Sequence, residues 1–250
     1  MKMKKTKTIC LCLTVCFALN SIAHADMLDL TTKGSYGTIN GAFFQQIDEH
    51  PQGTGNFKPF VRIQGRGIEA GYNTDGPIEF QTKDDGGHNW THSLLLGDVP
   101  IINGYRIFEL DIDQAKTPEG RYLSLDELRI HLASSGDLSG YPTASDPPSS
   151  SYGLFGDPIY DLDNLAGEPE EDNWVKLNYE LNPGNGWGDI FVRIPAERFT
   201  GGEWLYLYSM FGTHNEANDG FEEWAYVPEP ATICLLGLGT LGLIRRRRKK

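Results

Sequence analysis

Trp174-Val175-Lys176-Leu177-Asn178-Tyr179-Glu180-Leu181 places an apolar side chain at every second position, and Asp189-Ile190-Phe191-Val192-Arg193-Ile194 does the same a few residues later. A two-residue period marks a half-buried β-strand, because successive side chains leave opposite faces of the backbone. Residues 128–132 repeat the alternation, and residues 204–211 are an aromatic-rich version of it. In residues 105–113, Tyr105, Ile107 and Glu109 share one face and Phe108, Leu110 and Ile112 the other, which predicts a strand buried on both sides. Residues 38–47, 60–64, 67–72, 93–96 and 158–162 read as further strands, bounded by Gly, Asn, Asp and Pro. No long helical period is present. Residues 123–128 predict one helical turn capped by Ser124. The expected architecture is all-β, an antiparallel β-sandwich of the jelly-roll kind. A lone parallel β-helix is the alternative, without a fixed-period repeat to support it.

Residues 134–151 interrupt the pattern with Gly, Ser, Pro and Asp, and read as a mobile surface loop. An acidic stretch, Gly167-Glu168-Pro169-Glu170-Glu171-Asp172, precedes Trp174.

The two ends differ from this β-rich middle. Lys2, Lys4, Lys5 and Lys7 precede an apolar stretch over 9–19, and Ala23-His24-Ala25 precedes Asp26. This is the layout of a Sec signal peptide over 1–25, cut between Ala25 and Asp26, so the Sec machinery and signal peptidase are expected partners. At the other end, Val227-Pro228-Glu229-Pro230 leads into an uncharged run over 231–244, followed by Arg245-Arg246-Arg247-Arg248-Lys249-Lys250. As a helix, those 14 uncharged residues rise only ~21 Å against a hydrocarbon core of ~30 Å. The run therefore reads as a short C-terminal transmembrane helix and a marginal, transient inner-membrane anchor. Its basic flank stays cytoplasmic, which puts the preceding chain on the far side. Two prolines hold residues 227–230 extended.

Pro-Glu-Pro, a short Gly/Leu-rich run and a terminal Arg/Lys cluster together resemble the PEP-CTERM sorting signal of Gram-negative bacteria. The resemblance covers 227–250. It implies recognition by an exosortase, a membrane protease of transpeptidase type that cuts near the motif, and delivery to the cell surface or extracellular matrix. A broader similarity to exported bacterial surface proteins with this tail runs through residues 68–75, 89–92, 123–128 and 220–224. It carries no catalytic residues across.

Setting the ends aside leaves an ectodomain over 26–226, with the motif at 227–230. Cys10, Cys12, Cys16 and Cys234 all fall in the end segments, so no disulfide can staple the ectodomain and a hydrophobic core must hold it. All 34 Asp and Glu lie between residues 26 and 230 with only 12 of the 22 Lys and Arg, for a formal charge of 12 − 34 = −22. Such a charge excludes nucleic acid and anionic lipid as partners and favours neutral or cationic ones.

Candidate chemistry is sparse. Asp161, Asp163 and Asn164, followed by the acidic stretch, would suit Ca²⁺, which takes oxygen ligands, although the spacing is not that of an EF-hand. Residues 215–220 are a second candidate, and a solvated acidic loop is the competing reading for both. His88 and His92 are four apart, but the flanking glycines argue against a zinc-binding helix. Adjacent carboxylates such as Asp84-Asp85 and Glu222-Glu223 are too common here to mark a glycosidase pair. Among the aromatics, Trp187 and Trp204 are the candidates for stacking on a sugar, with Tyr206, Tyr208 and Trp224 beside them, and core packing is the competing fate. Without a nucleophile elbow, phosphate loop or catalytic cysteine, the ectodomain is expected to be a non-enzymatic structural or adhesive protein. A carbohydrate- or Ca²⁺-binding lectin-like module, in contact with extracellular polysaccharide, is the alternative. A polysaccharide-active enzyme is the third reading.

Overall fold

In the computed structural model the described residues are 27–48, 57–142, 152–163, 172–184 and 188–229. The strands are β1 (Met27–Asp29), β2 (Tyr36–Ile39), β3 (Ala42–Gln46), β4 (Val61–Ile63), β5 (Arg66–Gly67), β6 (Glu69–Tyr72), β7 (Leu94–Leu95), β8 (Tyr105–Ile112), β9 (Tyr122–Ala133), β10 (Tyr160–Asp161), β11 (Trp174–Asn178), β12 (Ile190–Pro195), β13 (Trp204–Phe211), β14 (Ala217–Asn218) and β15 (Glu222–Tyr226). One sheet is ordered β1-β11-β9-β13-β6, with β10 beside β9 and β7 beside β13; the other is β2-β3-β12-β8-β15-β4. A short β14-β5 ribbon joins their margins. Among the described residues every strand pairing is antiparallel except β1 with β11.

Number the principal strands β4, β6, β8, β9, β11, β12, β13 and β15 from one to eight. The sheets then read 1-8-3-6 and 2-7-4-5, the connectivity of a jelly roll. Between the sheets, Phe108, Leu110, Ile112, Val192 and Trp224 meet Leu123, Leu125, Leu128, Ile130, Leu205 and Leu207, all fully buried. The opposite face of β8 is only part-covered: Ile107 and Glu109 are half-buried, while Asp111 is buried.

Three local readings are corrected. Residues 123–128 are not a helical turn but the first half of β9. Their apolar spacing looks helical because Leu125 and Leu128 are three apart. A β-bulge, where Phe211 pairs with Leu125 but Met210 with Glu127, inserts one residue and returns both leucines to the core face. Ser124 caps nothing. Its hydroxyl donates to Asp126 at 2.9 Å and accepts from the His214 and Asn215 N–H groups. Residues 38–47 are not one strand but the β2–β3 hairpin, turned at Asn40 (φ 47°) and Gly41 (φ 79°), the left-handed pair a type I′ turn demands. The strand from Trp174 ends at Asn178, whose side chain accepts the Glu180 N–H and starts a 3₁₀ turn over Tyr179–Leu181.

The described part of the 134–151 segment is packed rather than loose. Tyr141 is buried, stacked on Tyr208 at 4.5 Å, and Leu138 packs beside it. Together with Phe155 they close a second aromatic core over Tyr72, Tyr206 and Tyr208, on the outer face of the β9–β13–β6 sheet. The Tyr141 hydroxyl lies 2.8 Å from His131 Nε2, and His131 Nδ1 lies 2.8 Å from the Gly156 carbonyl. The carbonyl must receive Nδ1–H, so Nε2 accepts from Tyr141. Burial lowers the His131 pKa to about 4, so this imidazole is neutral.

Candidate functional site

The chain leaves the sandwich along β15. Its ladder to β8 runs from Glu222 opposite Ile112 to Tyr226 opposite Phe108, and Val227 N–H adds a bond to the Ile107 carbonyl at 3.0 Å. Pro228 has no N–H and ends the ladder. Val227 is half-buried, while Pro228 and Glu229 are exposed. The Pro-Glu step is thus presented in non-helical backbone directly at the sheet margin, where an extended-substrate protease can reach it. Pro230, the run over 231–244 and the basic cluster lie outside the described residues, as do Ala23, Ala25 and Asp26 of the expected signal cleavage site.

Asp161 and Asp163 are brought together, but by structural bonds. Asp161 is buried, with Oδ2 3.2 Å from Arg129 Nε and Oδ1 accepting the Asp163 N–H at 3.1 Å. Asp163 accepts the Asn173 N–H at 2.8 Å, and burial followed by the charge of Asp161 pushes its pKa up to about 8. Asn164 is outside the described residues. In the second candidate, Asn218 donates to Gln114 at 2.5 Å and to the Gly120 carbonyl at 2.9 Å, and Asp219 faces Arg66 at 4.0 Å. Among the described residues no group of three or more His, Cys, Asp or Glu is placed to hold a metal ion. His88 pairs with Asp84 at 3.9 Å, and His92 Nδ1 lies 2.8 Å from the Ser93 carbonyl. Tyr206, Tyr208 and Trp224 are core residues, which removes them as a sugar platform. Trp204 is half-buried against the backbone of Gly136, where a Cβ would approach its ring to 2.6 Å. Trp187 is outside the described residues.

Three constellations had no reading in the sequence. Glu69 of β6 and Glu222 of β15 come from opposite sheets and meet with no exposed surface. Gln114 donates to Glu222 at 2.8 Å. Burial raises both carboxyl pKa values, and the neighbouring Glu69 carboxyl raises Glu222 further, so Glu222 is the member of the pair that holds a proton more tightly. Asp189, also buried, accepts the Ile112 N–H at 2.9 Å and is pushed well upward by burial and then by Asp111. On the outer face of β11 and β9, Trp174 stacks on His214 at 4.3 Å with rings parallel to 1°, and His214 Nδ1 lies 2.7 Å from Asp126. The signal for Glu222 was its parity with Trp224: two residues apart on one strand, both face the core.

No curated protein and no solved structure matches the chain. Residues 227–249 match the family model described as the PEP-CTERM protein-sorting motif. That match begins at the residue where the β15 ladder gives out, so the exposed Pro-Glu step closing this jelly roll is the start of a PEP-CTERM sorting motif, and the chain is a protein that carries it.

Proposed function

We propose that this chain is exported and held briefly in the inner membrane by residues 231–244. An exosortase-type protease then releases it to the surface or extracellular matrix, where the acidic jelly roll serves a non-enzymatic structural or adhesive role. The supporting observation is the exit geometry, with a sorting motif exposed at the sheet margin next to a closed core. Mass spectrometry of surface protein should find residues 1–25 and the chain beyond the motif removed. Replacing Pro228, Glu229 and Pro230 by alanine should strand the protein in the membrane fraction. Surface protein that retains Arg245 to Lys250 would mean a permanent anchor and end this proposal.

A carbohydrate-binding role is the second reading, favoured by a different surface. Tyr36 is 67% exposed and packs on Phe43 at 5.5 Å. Arg193 lies between Phe43 and Phe191 at 5.4 and 5.3 Å and donates to Gln45 at 2.8 Å. Aromatic rings beside a fixed guanidinium suit a neutral or acidic sugar. Binding on a glycan array, reduced at least tenfold in Tyr36→Ala, is the expected result; a blank array removes this reading. Ca²⁺ at Asp161 and Asp163 is a weaker proposal, since Asp161 already has Arg129. It fails if millimolar Ca²⁺ leaves the melting temperature unchanged.

A further inference from the structure

We infer that the end of the sandwich from which the chain leaves, carrying Leu95, Ile101 and Tyr105, rests in the interfacial layer of the bilayer. This inference depends on the proposal that residues 231–244 reside in that membrane.

The three side chains are 39%, 57% and 38% exposed, and they are fixed at one end of the fold. Leu95 pairs with Trp204 at the start of β13. The Arg106 guanidinium donates to the Leu96 carbonyl at 2.9 Å and to that of Val99, which ties this segment to the start of β8. Ile102 and Tyr105 close the intervening turn with mutual backbone bonds of 2.8 and 3.1 Å. Ile101 is therefore held outward on a braced turn.

The chain departs at the same end. β15 runs antiparallel to β8, and Val227 N–H on the Ile107 carbonyl shows it heading toward Tyr105. From Val227 to Ala231, the first residue of the uncharged run, is four residue steps, at most ~14 Å of fully extended chain. The headgroup layer on each side of the hydrocarbon core is roughly 5–8 Å thick. With residue 231 at the hydrocarbon boundary, this end cannot stand far clear of the headgroups.

The chemistry fits that position. Tyrosine and aliphatic side chains favour the membrane–water interface, and a fixed apolar patch at a domain end calls for a partner. Exposed Asp98 and nearby Glu203 flank the patch, which suits neutral rather than anionic headgroups. The buried carboxyls Glu69, Asp189 and Glu222 lie at the opposite end, about 23 Å away along β8.

The test takes membrane-held chain from cells lacking the sorting protease and reconstitutes it in phosphatidylcholine vesicles. Hydrogen exchange is then read at residues 96–104. The control carries a 20-residue Gly/Ser insertion after Glu229, which gives the domain roughly 25 Å of slack. Exchange should be at least fivefold slower in the parent than in the control. L95S/I101S/Y105S, changed only at exposed positions, should still float with the vesicles and keep its melting temperature but lose the protection. Flotation with equal exchange in parent and control overturns the inference alone. Failure to float overturns the anchor proposal and the inference with it. Protection that appears only when the sorting protease is added to the vesicles assigns the surface to that enzyme and overturns the lipid contact.

Discussion

At the residue scale, Glu222 and Glu223 show how neighbours in sequence separate in chemistry. Glu223 faces outward and pairs with Arg62, while Glu222 turns inward beside Trp224, where burial and the neighbouring Glu69 push its pKa up. Adjacent carboxylates in so acidic a sequence look like surface charge, and the strand's parity was the one clue that they are not. Glu222→Gln should replace a carboxyl that must stay protonated in the core with a permanently neutral group, whose oxygen can still accept from Gln114. We expect a gain of about 1–2 kcal/mol at pH 8 and little change at pH 5, read by urea unfolding at both values. An equal loss at both would show that Glu222 is not held protonated.

At the element scale, the strands with clean alternation were legible and the exceptions were not. β12 and β13 fall where a period of two places them. By local pattern β9 reads as a helical turn followed by a strand, because its bulge breaks the period and a bulge depends on the partner strand. The β2–β3 turn was open to reading, since Asn40-Gly41 is the residue pair a type I′ turn requires, but the run of apolar residues through it hid the reversal. The segment after β9 looked loose because its anchors are few. Tyr141 is nonetheless a principal clamp on the outer face of the sheet. Tyr141→Phe should keep the stack on Tyr208 and lose the donor to His131, at a cost of about 1–2 kcal/mol. Tyr141→Ala should cost about 3–5 kcal/mol by removing the ring. A denaturant midpoint for Tyr141→Phe equal to that of the parent would mean the hydroxyl contributes nothing, and equal midpoints for the two variants would mean the ring contributes nothing.

At the scale of the whole molecule, the buried carboxyls set a pH dependence. Asp163 titrates at about 8 in the folded chain instead of its ordinary 3.8, so the folded state holds a proton there that the unfolded chain releases, and stability falls as pH rises through that window. Glu69, Glu127, Asp189 and Glu222 are raised and act in the same direction. His131 works the other way: its ordinary 6.5 drops to about 4, so stability is lost as pH falls between those values. Asp29 and Asp75, whose pKa values hydrogen bonds to Thr31 and Ser93 draw down despite burial, also lose stabilisation in acid. Five raised acids outweigh the one imidazole, so maximum stability is expected at about pH 4–5, where the unfolded carboxyls begin to ionise, with a lower melting temperature at pH 8.5; a melting temperature that rises steadily with pH contradicts the assigned burial of these acids. The sequence by itself determined the fold class, the division between cationic and apolar ends and an acidic middle, and the sorting motif, because each is written in short-range pattern and composition. Only the tertiary structure decided which acids are buried, which aromatics form core, and that the motif emerges beside an exposed apolar end. Those properties depend on which residues from distant strands meet, and strand order is set by pairing across the sheets rather than by any local period.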